Sequence, residues 1–375
     1  MALPIPNFIE RNAQQIIDEM VADYEVRVGR TLEPAQVERL IINALAYREL
    51  LLRNQVQQAA LQNLLSFAKA PMIDYLGELL GVTRLPAAAA QTTIEFTLVS
   101  GHGSITIPQG IRIGTTDGRA IFETREILNV DELTDIVTVV ADCQALGELG
   151  NGYAIGTVST ILDPQAYLSS ATNITVTGGG SDEESDDELR ERIKLAPSAF
   201  STAGSKGAYK FHAKGAHPSI VDVGILGPGD APSINPGEVH IFPLVEGGIA
   251  TPTEVINAVE QVCSADKVRP LTDTVFVTSP TKVDYTINVE LELYNGADQT
   301  SVTAAVQNQL QAFVDAKKNL LGQDIIKAQI IERSAISGQV YNVVVAQPAT
   351  DLVINDTEFS NCTGITITVS GFNNG

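Results

Sequence analysis

Apolar residues in the first eighty positions recur at helical spacing. Ile9, Ile16, Ile17, Met20 and Tyr24 predict a first helix over Asn7–Val28, ended by Gly29 and Arg30. Pro34 suits the first turn of a second helix, predicted from about Pro34 to Lys69, before Pro71. At 1.5 Å per residue it would span roughly 50 Å. Its apolar positions do not form one stripe. Val37, Leu40, Ala44, Tyr47 and Leu51 form the first, Ile41, Leu45, Leu52, Val56, Ala59 and Ala60 a second, and Leu61, Leu64 and Leu65 a third patch. A helix apolar on several sides has to be buried on several sides. Only Phe8–Tyr24 and Met72–Leu80 are at hand locally to cover it. Two readings follow: a helix capping its own domain, or a helix in an intermolecular bundle.

The period changes to two after a linker at 81–90. Ile94, Phe96 and Leu98 alternate with Thr93, Glu95 and Thr97. Ile105 and Ile107 precede PQG, and Ile111 and Ile113 precede GTTDG. Short alternating runs between Gly, Pro and Asp-Gly turns predict a small antiparallel sandwich or barrel over 91–177. The alternation breaks at Gly178, Gly179 and Gly180, read as a domain-boundary turn in which at least one residue takes a positive φ. Ser181 with Glu184 predicts a capping box, the acidic run 182–188 lies in the first helical turns, and Pro197 is expected to stop that helix.

From there helix and strand alternate. A helix opens near Ser201–Thr202 and ends around Gly215–Pro218. Strands follow at 219–226 and 238–244, then a helix at 253–263 and a strand at 274–278. Residues 283–293, VDYTINVELEL, give the clearest strand pattern in the chain. Helices over Gln299–Lys317 and Asp324–Ser334 and strands at Gln339–Ala346 and Ile365–Val369 complete the reading. Strands 283–293 and 365–369 are the expected sources of a sheet edge open to another chain. The fold class is α+β and multidomain: a long helical arm (1–80), a small antiparallel β domain (91–177) and two α+β domains (181–282 and 283–375).

Composition narrows the function. At 375 residues several domains are expected, with 44% hydrophobic and 5% aromatic residues. A formal charge of −21 argues against phosphate-backbone binding, which needs clustered Lys and Arg. No apolar run reaches the roughly 18 residues of a membrane span. The opening MALPIPNFIERN has no basic stretch followed by an apolar core, so folding in a cytoplasm is expected. Cys143, Cys263 and Cys362 are too few and too scattered for a disulfide framework or a zinc site.

No catalytic constellation emerges. The acidic run lacks the alternating ligands of a calcium loop. GELGNGYAIG (147–156) does not match a dinucleotide fingerprint, and Ser205-Lys206 lacks the leading glycine of a phosphate loop. His212 and His217 are five apart, off the spacing that places two imidazoles on one helix face. His102 and His240 have no acidic or thiol partner in the pattern. No cofactor, metal or enzymatic activity is expected.

Four blocks carry a resemblance: ITIPQGIRIGTTDGRAIFETRE (105–126), GELGNGYAIGTVSTI (147–161), TNITVTGGGSDEESDDELRERI (172–193) and PGEVHIFPL (236–244). In this order they resemble the baseplate J-like family of contractile phage tails and related injection particles. The resemblance covers about Gln91 to Pro280 well and the two ends mainly by pattern. It implies a structural wedge protein that builds the ring around the central hub and spike and links it to the sheath, within a virion assembled in the host cytoplasm or a phage-tail-like particle. The implied partners are a second copy, a smaller wedge subunit of phage P2 protein I type, a sheath-initiating lysozyme-like subunit, and neighbouring wedges in a six-fold ring; neither nucleic acid nor membrane is among them. The chain is much shorter than the larger myophage wedge proteins, which implies a minimal baseplate. The helical-bundle contacts would fall on Val37, Leu40, Ile41, Tyr47, Leu51, Leu52, Val56, Leu61, Leu64 and Leu65. The alternative function is a tail-associated adhesin or receptor-binding protein built on the β domain.

Overall fold

The computed structural model describes residues 3–199 and 204–374. The chain divides into two compact units, Met1–Thr83 with Ser185–Lys194, and Arg84–Glu184 with Leu195–Gly375.

In the first unit, α1 spans Ala13–Val28 and α2 Val37–Leu61, followed by a short α3, Met72–Glu78. Helix α1 begins later than its apolar spacing predicts. Pro4 and Pro6 have no N–H for a helix, and the Asn12 side chain accepts from the N–H groups of Gln14 and Gln15, which fixes the start. Gly29, at φ 73°, closes the helix by donating to the Glu25 carbonyl. Helix α2 is also shorter than expected. Its 25 residues span about 37 Å. Past Leu61 the chain folds into tight turns, with the Asn63 amide capping the Ala59 carbonyl and Gln62 Oε1 accepting from Lys69 N–H. Val21, Leu32 and Ile42 form the small core between α1 and α2.

Helix α4 (Asp186–Ala199) opens in this unit. The Arg190 guanidinium donates to the carbonyls of Leu65 and Ala68 at 2.8 and 2.7 Å, and Arg192 donates to Thr83 O at 2.5 Å. Arg190 caps carbonyls that the turns after α2 leave without helix donors, and Arg192 caps one that follows α3. The capping box lies four residues beyond the expected one. Ser185 N–H donates to Glu188 Oε2 at 2.8 Å, and Glu188 N–H to Ser185 Oγ at 3.3 Å. Ser181 and Glu184 instead continue an extended pairing with residues 85–88: Ser181 N–H donates to Ala88 O, and Leu85 N–H donates to the Glu184 carboxylate. Pro197 does not stop α4; it sits inside the last turn, where its missing N–H removes one terminal hydrogen bond. The helix start expected at Ser201–Thr202 lies outside the described residues.

In the second unit the strands run β1 (Ala89–Leu98), β2 (Ile105–Ile107), β3 (Arg112–Thr115), β4 (Ile121–Thr124), β5 (Leu128–Val130), β6 (Ile136–Leu146), β7 (Val158–Ile161) and β8 (Leu168–Asn173). Six of them form a sheet ordered β7-β3-β4-β6-β1-β8, and β2 pairs β5 separately. Alternate residues Ile94, Phe96 and Leu98 point into one core with Ile113, Phe122, Ala141 and Val158. The two ends of the sheet meet through Asn173, which is fully buried. Gly156 N–H donates to its backbone carbonyl at 3.0 Å and Val158 N–H to its Oδ1 at 2.9 Å, while its Nδ2 donates to Ala154 O and Thr175 O. The sheet thereby nearly closes into a barrel.

The three glycines after β8 act differently from one another. Gly178 exchanges both backbone hydrogen bonds with Gln91, extending the pairing to β1. Gly179 has φ 81°, in the left-handed region. Gly180 is clasped by the Asn151 carboxamide at 2.7 and 2.9 Å, and a Cβ there would run into the Gly147 carbonyl.

After α5 (Lys206–Lys214) come β9 (Ile220–Leu226), β10 (Glu238–Val245), α6 (Thr253–Cys263) and β11 (Thr274–Val277). They build a sheet ordered β11-β10-β9, with β10 and β11 parallel across α6. Tyr209, Val255, Val259 and Cys263 cover Ile241 and Val275. The chain then continues through β12 (Thr281–Tyr294), α7 (Gln299–Lys318), α8 (Lys327–Ser334), β13 (Val340–Gln347) and β14 (Glu358–Asn373). This sheet is ordered β13-β12-β14. Helix α7 lays Val302, Val306, Leu310 and Phe313 on the core with Ile287, Val289, Leu291 and Leu293 of β12. Strand β12 is central, so its regular alternation offers no free edge; β13 and β14 are the edges.

Candidate functional site

Helix α2 carries two apolar faces. At about 100° per residue, Ile42, Ala46, Arg53, Gln57 and Leu61 fall in one sector. Of these, Ile42, Ala46, Gln57 and Leu61 are buried. Roughly opposite them lie Val37, Leu40, Ile41, Ala44, Leu45, Tyr47, Leu51, Leu52 and Val56, all exposed. Leu40, Leu45 and Leu52 keep 60%, 57% and 61% of their surface in solvent. Such a row of large apolar side chains is not the ordinary scatter of surface leucines.

The residues expected to meet partner helices therefore divide. Val37, Leu40, Ile41, Tyr47, Leu51, Leu52 and Val56 share the exposed face, and Leu64 is exposed beyond the helix end. Leu61 is buried within the arm, because it falls on the same face as Ile42. Leu65 is half-buried, its carbonyl taken by Arg190. Leu45 belongs to the exposed face although it was not among the expected contacts; its place in the second stripe was the signal.

One border of the face carries Glu38 and Glu49, both ion-paired. Arg30 bonds Glu38 at 2.6 Å, and Arg53 bonds Glu49 at 2.5 Å while also donating to the Glu10 carbonyl. Both pairs reach solvent and contribute little to stability. Arg48 and Gln55, both exposed, interrupt the strip near its centre. A stripe covering about half the helix circumference is wider than the seam of a two-stranded coiled coil, so its geometry suits more than one partner helix. Completing the burial of five half-exposed Leu or Ile side chains contributes on the order of 5 kcal/mol. Association costs about 4–15 kcal/mol, so the wider contact is the one that binds.

The groups capable of chemistry are engaged structurally. The two ring nitrogens of His102 face the carbonyls of Gly103 and Thr134, which raises its pKa. His240 stacks on Phe276 with ring centroids 5.0 Å apart. His217 Nδ1 accepts from both the backbone N–H and the hydroxyl of Ser219, and burial lowers its pKa. Ser219 lines a cavity of only 40 Å³, room for a water but far below a ligand pocket of about 300 Å³. Burial pushes the Cys263 thiol up to about 12, holding it as an inert thiol at neutral pH. Among the described residues no group of three or more His, Cys, Asp or Glu is placed to hold a metal ion, and no helix is long and apolar enough to cross a membrane.

Family models match successive parts of the chain: the baseplate J-like N-terminal domain at residues 37–91, the barrel domain at 93–180, the central domain at 201–279 and the C-terminal domain at 285–368. Baseplate protein J of Escherichia phage P2 is 32% identical over 188 residues, which span 50% of this chain and 60% of that protein. A chain in the cryo-EM structure of the anti-feeding prophage baseplate, six-fold symmetrised, aligns over 93% of this chain and 90% of its own length at 14% identity, with a TM-score of 0.40. With four consecutive domain models matched in order, the chain belongs to the baseplate J-like family.

Proposed function

We propose that this chain is a structural wedge protein of a contractile-tail baseplate. Helix α2 enters a bundle with the same helix of a second copy and with a smaller wedge subunit. The sheets of the second unit build the ring around the central hub and spike and link it to the sheath. One observation carries this reading: the strip from Val37 to Val56, solvated in the single chain and too wide for one partner helix. The domain limits proposed with it are an arm over 1–80, a small antiparallel β domain over 91–177, and α+β domains over 181–282 and 283–375. The chain's part is mechanical, with no reaction at any step.

The test is co-expression with a smaller wedge subunit of phage P2 protein I type. Leu40→Asp, Leu51→Asp and Leu64→Asp, combined, place three carboxylates on exposed positions. The isolated variant should unfold within about 0.5 kcal/mol of the native chain per substitution, as surface changes do. It should no longer co-purify with the small subunit. Undiminished co-purification would reject the bundle.

A further inference from the structure

We propose that Asn295 is a site of spontaneous covalent modification, through an imide formed with Gly296, and that the fold holds the equivalent pair Asn151–Gly152 inert. The inference concerns a turn separate from α2 and stands apart from the wedge reading.

The chain contains three Asn-Gly pairs, at 151–152, 295–296 and 374–375, the last of which ends outside the described residues. Asparagine is among the thermolabile side chains. In such a pair the backbone nitrogen of the glycine attacks the carboxamide carbon of the asparagine. A bond forms from that nitrogen to Cγ, the bond from Cγ to Nδ2 breaks, and ammonia leaves with the proton of the glycine N–H. Water then opens the five-membered imide at one carbonyl or the other, giving aspartate or isoaspartate. Glycine favours the step because it has no Cβ beside the attacking nitrogen. The step needs an unengaged glycine N–H and a carboxamide able to swing over it.

Asn151–Gly152 offers neither. Gly152 N–H donates to Thr177 O at 2.9 Å. The half-buried Asn151 is held at both ends of its carboxamide, Nδ2 donating to Gly180 O at 2.7 Å and Oδ1 accepting from Gly180 N–H at 2.9 Å. Asp117–Gly118, which would form the same imide with loss of water, is restrained in a similar way. Gly118 N–H donates to Thr115 O at 2.9 Å, and Asp117 Oδ1 accepts from the Thr115 hydroxyl and from Arg119 N–H.

Asn295 and Gly296 are both exposed, in the turn between β12 and α7. Among the described residues Gly296 N–H makes no hydrogen bond; the turn is closed one residue later, by Ala297 N–H on Tyr294 O at 3.1 Å. A Cβ at Gly296 would meet nothing within 4 Å, so this side of the turn is open to water. The Asn295 carboxamide is tethered by a single bond, from Nδ2 to Oδ1 of Asn374, which is itself exposed. The product places a carboxylate, and in isoaspartate an extra backbone methylene, where β12 gives way to α7.

The test incubates the full-length chain at mildly alkaline pH, in native buffer and in concentrated urea, and maps the digests by mass spectrometry. Conversion adds one mass unit to a peptide, and an isoaspartyl methyltransferase labels the isoaspartate. In native buffer the peptide containing Asn295 should convert at least about fivefold faster than the one containing Asn151, because there a hydrogen bond has to break before attack. In urea, where these bonds are lost, the two rates should agree within about twofold. Asn295→Gln, whose imide ring would have six members, should leave its peptide unconverted while the unfolding midpoint matches the native chain. Equal rates in native buffer, or an Asn295 that stays unmodified there, would overturn the proposal. A preference for Asn295 that persists undiminished in urea would also overturn it, since the difference would then belong to the neighbouring sequence and not to the fold.

Discussion

The carboxamide of Gln57 ties the backbone around Phe8 to α2: its Oε1 accepts from Phe8 N–H at 2.9 Å, and its Nε2 donates to Pro6 O at 2.7 Å. Gln57 is fully buried on the inward face of the helix, between Ala46 and Leu61. A polar residue at such a position is stable only because both ends of its amide are satisfied. It therefore straps the segment before α1 onto the arm.

Gln57→Ala removes both bonds. The Phe8 amide should lose its protection from hydrogen exchange, and the arm should lose about 1–3 kcal/mol of stability. Exchange of the peptide covering residues 3–12, measured by mass spectrometry, checks this. Unaltered protection at Phe8 would mean that the segment is held by something other than Gln57.

Asn173 closes the ends of the barrel sheet, so Asn173→Leu should be among the most damaging single changes in the chain. It strands the buried Val158 N–H and removes a donor from Ala154 O. Ala154 O keeps its bonds from Thr157, so the loss should be about 1–3 kcal/mol for one buried group left unpaired. Denaturant unfolding followed by circular dichroism measures it, and a loss under about 0.5 kcal/mol, the range of surface changes, would contradict the closure.

Gly179 and Gly180 should respond differently to alanine. At Gly179 a Cβ meets nothing within 4 Å, and the penalty is conformational, about 1–2 kcal/mol for a left-handed residue. At Gly180 the Cβ meets the Gly147 carbonyl and Ala90 N, both backbone atoms that side-chain rotation cannot clear. Gly180→Ala should therefore lower the melting temperature more than Gly179→Ala. The reverse order would show that φ, not the close approach, dominates here.

Asp163 is held by Arg112, which donates to it through both its side chain and its backbone N–H, and its pKa falls to about 2. A lowered carboxylate pKa adds stability above the unfolded value near about 4. That contribution is lost as the pH falls from about 4 through the folded value. Asp163→Asn should flatten the dependence of thermal stability on pH between about 4 and 2. An unchanged slope in that window would remove the pair from acid unfolding.

Helix and strand content was legible because burial imposes period. Val302, Val306, Leu310 and Phe313 predict a helix lying on a sheet, and Ile94, Phe96 and Leu98 predict a strand with one buried face. The two-sided apolar character of α2 was equally visible, since exposed leucines at helical spacing are a property of the sequence itself. Boundaries were less legible. The capping box fell at Ser185–Glu188 and not at Ser181–Glu184, because residues 178–184 found backbone partners in 85–91, far away in the chain. Local pattern cannot anticipate a distant donor.

The helical arm, the strands of the β domain and the alternation that follows could be read from the chain directly, since each depends on residues near one another. Only the tertiary structure decided which side of α2 is covered, that Gln57 is spent on the N-terminal segment, that Asn173 joins the ends of a barrel, and that the most regular strand, β12, is central while uncharged β13 and β14 form the edges. The physical reason is common to all four. A hydrogen bond or a sheet edge belongs to a pair of segments, and which segments pair is settled by the burial of the whole core, not by the propensity of either one.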